Sequence, residues 1–121
     1  MDRTFLFIGA LAGFLGVAFG AFGAHGLRNR LSPDMLAVFE TAVRYQMYHA
    51  LALLLTAALA ARSDGWLVKM AGWAFTAGLL LFSGSLYVLA LTGVTMFGAI
   101  TPLGGIAFLI GWACLLVVGI R

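Results

Sequence analysis

Charge is what this chain most lacks. Seven Lys and Arg with four Asp and Glu make 9% of 121 residues, against roughly 25% in an ordinary soluble domain. Seven scattered basic residues do not build the basic face of a nucleic-acid module. One cysteine, Cys114, excludes a disulfide framework and forms no metal-binding motif. Only two prolines and a 64% apolar composition exclude a disordered chain. A chain this short cannot bury so much apolar surface in one core, which excludes a soluble monomer. What remains is a membrane protein, and at about 20 residues per crossing the length suits four helices.

The apolar runs place them. Phe5 to Ala24 is 20 residues without a charge, about 30 Å of helix and the hydrocarbon thickness of a bilayer. A cleaved signal peptide has a shorter apolar core of about 7–15 residues, so this run is expected to persist as a first span. Tyr45 to Ala61 is uncharged and flanked by Arg44 and Arg62, each able to snorkel to its own headgroup layer. Met70 to Ile120 holds 51 uncharged residues, too many for one crossing, and turn residues at Leu91-Thr-Gly93 and Ile100-Thr-Pro-Leu-Gly-Gly105 divide it. Thr101 reads as an N-cap and Pro102 as the first helical position. The expected architecture is an all-α, four-helix transmembrane bundle in one domain, 1–121, with spans near 5–24, 43–62, 70–91 and 102–120.

The first connection has its own signals. Ser32-Pro33-Asp34 reads as cap, first-turn proline and an acid at the positive helix end. A helix from there through Arg62 would run 30 residues, giving the second span a short interfacial extension ahead of it. Trp66 and Trp73 bracket Lys69 as interfacial aromatics do. With four spans, Arg3, Arg62, Lys69 and Arg121 share one side and Arg28, Arg30 and Arg44 the other. The basic count favours both termini in the cytoplasm.

The first run carries Gly9, Gly13, Gly16, Gly20 and Gly23. Spacings of 4, 3, 4 and 3 put them on one face, where small residues allow close helix packing, within the subunit or between copies. Ser83-Gly84-Ser85 is expected to pack similarly. In Phe39 to His49, Glu40 and Arg44 are four apart and able to pair, with Tyr45 and Tyr48 alongside. His49 lies about 7 Å deeper than Arg44, and an ionisable residue at that depth is a candidate site. Two readings stand: an interfacial salt bridge with belt tyrosines, or a polar pocket of His25, Glu40, Arg44, Tyr45, Tyr48 and His49. The two histidines could ligate haem or a metal, yet no paired His spacing or Cys motif accompanies them, so no cofactor or metal is expected. Cys114 has no base near it in sequence, which leaves catalysis without a nucleophile. Arg28 and Arg30 suit lipid phosphates, and the helix start at Thr101 could hold an anion.

Four segments together carry a resemblance: Gly20-Ala-Phe-Gly-Ala-His-Gly-Leu27, Phe39-Glu-Thr-Ala-Val-Arg-Tyr-Gln-Met-Tyr-His-Ala50, Ser83-Gly-Ser-Leu-Tyr87 and Ile100-Thr-Pro-Leu-Gly-Gly105. In that order, over essentially the whole chain, they resemble the domain of unknown function 423 family, the YgdD/YwdK-like small integral membrane proteins. The resemblance implies three or four membrane helices, and in bacteria a plasma-membrane location. It carries no activity, ligand or catalytic residue to transfer. The expectation is a non-enzymatic protein in the lipid bilayer, acting through helix packing as a homo-oligomer or as an accessory subunit with a membrane-protein partner. The alternative is a small carrier or lipid-binding protein using the polar pocket.

Overall fold

A computed structural model describes residues 3–63 and 65–121. Among them every regular element is helical: α1 (Thr4–His25), α2 (Pro33–Arg62), α3 (Trp66–Gly78), α4 (Gly84–Thr92) and α5 (Thr101–Ile120). A wide turn, Leu79–Ser83, joins α3 to α4 into one continuous rod, and a tight helical turn, Thr95–Ala99, leads into α5. Four long rods result.

Ser32 caps α2, accepting a hydrogen bond from the Met35 amide at 3.2 Å, with Pro33 in the first turn. The helix then runs 30 residues to Arg62. Gly93 ends α4 in the left-handed region at φ 73°, a conformation glycine adopts without the penalty of a Cβ. Thr101 departs from its expected role. Its hydroxyl does not cap α5; it bonds Ser85 Oγ at 2.6 Å and the Phe97 carbonyl at 3.3 Å instead. A partner across the bundle and a carbonyl in the preceding turn both compete with the cap.

Neighbouring rods are antiparallel. Along α1, Gly9 faces Leu53 and Leu54, Gly13 faces Ala50, Gly20 faces Val43 and Gly23 faces the Phe39 ring. The glycine face is therefore covered by α2 of the same chain. Residues 39–54 of α2 face the glycines of α1, and 33–38 extend past the level of Gly23. On the other side α5 runs back along α3, with Gly111 on the Phe75 ring and Gly104 against the backbone of Phe82.

Thr4–Gly23, Trp66–Thr92 and Thr95–Ile120 are long and apolar enough to cross a membrane. The expected second span, 43–62, is not among them, because Arg44, Tyr45, Gln46, Tyr48 and His49 dilute the apolar content of α2. Composition thus supports three of the four expected crossings.

Two apolar clusters hold the bundle. One joins Phe5, Leu53, Leu67, Phe75, Phe108 and Cys114 toward the chain termini. The other gathers Leu27, Phe39 and Ala90 under the first connection. Between them, at mid-height, lies a belt of buried polar side chains: Gln46, His49 and Ser83.

Candidate functional site

The polar belt is built on α2. Gln46 joins three helices: its Nε2 donates to the Ala12 carbonyl on α1 at 2.8 Å, and its Oε1 accepts from the Tyr87 hydroxyl on α4 at 2.5 Å. Ser83 donates to the Ala42 carbonyl at 2.9 Å, tying the wide turn to α2. In an apolar surrounding each such bond also removes the cost of an unpaired polar group.

His49 is buried, 4% exposed. Its Nδ1 lies 2.8 Å from the Tyr45 carbonyl and its Nε2 receives the Trp112 indole N–H at 3.0 Å. A carbonyl only accepts and an indole only donates, so the imidazole is the neutral Nδ1–H tautomer. Its ring stacks on Phe108, centroids 3.5 Å apart and planes within 6°.

The structure does not gather the six residues of the expected polar pocket. His25 is exposed at the end of α1, twelve residues beyond Gly13, whose level His49 shares. That separates the histidines by about 18 Å along the helix. Both His49 nitrogens are engaged, which leaves none for haem or metal. Among the described residues no three His, Cys, Asp or Glu side chains gather as metal ligands. Tyr45 leans on Phe82 and meets Tyr48 edge-on; Tyr48 is exposed. Glu40 and Arg44 are exposed on the α1 side of α2, beside Gly20 and Gly23. Among the described residues they form no ion pair with each other, although their spacing permits one. Cys114 is buried in the apolar cluster near the termini.

Sequence reasoning passed over Gln46, Thr76, Tyr87, Phe108 and Trp112. A glutamine at mid-span was a usable signal, since an uncharged amide in an apolar helix must find partners on other helices. Together these residues frame two lateral clefts. One, between α2 and α5, is bordered by His49, Phe82, Phe108 and Trp112. The other lies between α1 and the α3–α4 rod, with a volume near 280 Å³. Its walls are Leu11, Leu15 and Leu80, and its floor is Gln46, Thr76 and Ser83. Aromatic pairs flank it lengthwise. Phe19 meets Tyr87 at one end, and Phe5 meets Trp73 one turn past the other, each at 5.3 Å. Exposed Leu11 and Leu80 mark its open side.

An antiparallel helical bundle with apolar outer faces and an internal polar belt is an integral membrane protein that crosses the bilayer several times. Residues 19–105 match the family described as "Protein of unknown function (DUF423)", and the chain belongs to that family. It is 47% identical over 120 residues to the UPF0382 membrane protein YwdK of Bacillus subtilis (strain 168), with 98% of each chain covered. It is 46% identical over 115 residues to the UPF0382 membrane protein SAB0533 of Staphylococcus aureus (strain bovine RF122 / ET3-1), covering 95% of this chain and 93% of that one. No solved structure matches. The relatives' names and the three apolar helices make this a multi-pass protein of a bacterial membrane.

Proposed function

We propose that the protein is a non-enzymatic membrane protein that holds a bilayer-soluble, largely apolar molecule in the cleft between α1 and the α3–α4 rod. The carrying observation is the cleft's shape: bounded at one end by Phe19–Tyr87 and open sideways between Leu11 and Leu80. Entry is from the hydrocarbon. The floor hydroxyls of Thr76, Ser83 and Tyr87 donate their hydrogens to Gly72, Ala42 and Gln46, so they offer a ligand only lone pairs. A hydroxyl or amine on an otherwise apolar molecule suits that floor. Binding in place of catalysis is supported by the polar belt, whose side chains spend their hydrogen bonds on backbone carbonyls and on Tyr87 and Trp112.

In this reading α2 is a fourth crossing. Gln46, His49 and Thr56 all point into the bundle, where each is hydrogen-bonded, which removes the composition's objection to burial in lipid.

Gly84→Leu tests the cleft, since a Cβ there meets its nearest atom only at 3.9 Å and the added side chain fills the space. Mass spectrometry of the intact, mildly solubilised protein reads any retained apolar molecule. The wild type should keep one and the variant should lose it at an unchanged melting temperature. Equal retention by both would refute the cleft.

Association as a homo-oligomer or accessory subunit is the second reading. The glycine face is occupied by α2, and support comes instead from α5, where Leu109, Leu116 and Ile120 are 69%, 70% and 83% exposed on one outward face. The same spectra count subunits, and a bare monomer would count against it.

A further inference from the structure

The opposite flank of α1 carries a different feature. There α1 and α2 alone enclose a notch of about 310 Å³ lined by Gly20, Gly23, Phe39, Glu40, Val43 and Arg44. One turn deeper the notch continues into a groove between Gly9, Gly13 and Val17 on α1 and Met47, Leu51 and Leu54 on α2. Glu40, Arg44, Met47, Leu51 and Leu54 follow one another at helical spacing, so notch and groove share one flank.

The notch sits at the membrane surface, since Gly20 and Gly23 end the apolar run of α1. From Gly23 down to Gly9, at the groove's far end, is about 21 Å, so the groove is deep enough to hold one acyl chain of a leaflet about 15 Å thick. Its charges are ordered along the membrane normal: Arg44 lies inside and Glu40 one turn, about 6 Å, further out. Among the described residues neither makes an ion pair. A zwitterionic phospholipid presents its charges in the complementary order, phosphate inside and ammonium outside.

From this geometry we infer that the α1–α2 flank binds a zwitterionic phospholipid with a primary ammonium headgroup, phosphatidylethanolamine in type. Arg44 takes the phosphate by charge-assisted hydrogen bonds, and its long side chain rises to the headgroup layer. Glu40 accepts hydrogen bonds from the ammonium. One acyl chain lies in the groove down to Gly13. A trimethylated headgroup has no N–H to donate to Glu40, and an anionic headgroup without an ammonium leaves Glu40 against negative charge. This site is on the other flank of α1 from the proposed cleft, and the failure of either leaves the other standing.

The full-length protein, stripped of lipid and reloaded with palmitoyl-oleoyl phosphatidylethanolamine, phosphatidylcholine or phosphatidylglycerol, is compared by mass spectrometry of the intact complex. The ethanolamine lipid should be retained at one per chain, at least tenfold above the other two. Glu40→Gln and Arg44→Gln should each reduce that preference to below threefold, while Arg44→Lys keeps most of it. The double variant Glu40→Arg with Arg44→Glu keeps the net charge but inverts the order, and it too should lose the preference. Both positions are on the exposed face, so melting temperatures should stay level and certify the fold. Phosphatidylglycerol retained as well as the ethanolamine lipid, or full preference in the inverted variant, would overturn the assignment. So would the absence of any retained lipid.

Discussion

Trp112 on α5 donates its indole N–H to Nε2 of His49 on α2 across 3.0 Å, joining residues 63 apart in sequence. These two helices otherwise meet little, and the bond with the Phe108 stack is what closes the bundle on that side. Trp112→Phe keeps an aromatic ring but leaves Nε2 buried without a donor. The expected loss is about 1–2 kcal/mol of stability, read as a lower unfolding midpoint in mild detergent. His49→Phe with Trp112→Phe should recover part of it, because no orphaned acceptor remains.

Gln46 and Tyr87 should behave as a coupled pair. Gln46→Leu removes the acceptor of the Tyr87 hydroxyl and the link to the Ala12 carbonyl. Tyr87→Phe removes only the hydroxyl. In a double-mutant cycle the pair should show about 0.6 kcal/mol of coupling, the average for hydrogen bonds between membrane helices, and at most about 1.7 kcal/mol. Additive single effects would mean that the bond contributes nothing to the fold.

Adjacent glycines on α5 should respond oppositely to the same methyl group. A Cβ on Gly104 would run into the Phe82 backbone, which cannot rotate aside, whereas on Gly105 it would meet only Phe82 Cδ2 at 4.0 Å. Gly104→Ala should cost about 1–3 kcal/mol, as overpacking does, and Gly105→Ala should be neutral or slightly stabilising, since alanine favours helix. Paired thermal melts separate the two outcomes.

Local signals in the sequence predicted the start and length of α2, the break at Gly93 and the helical class, because caps, prolines and apolar run lengths act within a few residues. The spacing of Gly9 to Gly23 predicted a packing face without predicting its occupant. That depends on which helix folds back, and here it is α2. Glu40 and Arg44 stand at pairing distance in sequence, but solvent and headgroups compete with so exposed an ion pair. The side-chain partners of His49 and Gln46, Trp112 and Tyr87, were not legible at all. They lie 63 and 41 residues away, and no local pattern encodes which helix faces which.

The last prediction concerns the fourth crossing. If α2 spans the bilayer, the connection before it and the one after it lie on opposite faces, and the segment around Gly98 returns to the face of the first. Arg30→Cys, Ser63→Cys and Gly98→Cys, each in a Cys114→Ala background, place single thiols at these three points. A membrane-impermeant maleimide applied to intact cells should label 30 and 98 and spare 63 in the orientation that the basic-residue count favours, with the termini and the second connection on the cytoplasmic side. Labelling of 63 alone would keep four crossings and reverse the orientation. Equal labelling of 30 and 63 would mean that α2 does not cross. Its polar belt would then have to be satisfied at the surface, although Gln46 and His49 are almost fully enclosed by α1, α4 and α5.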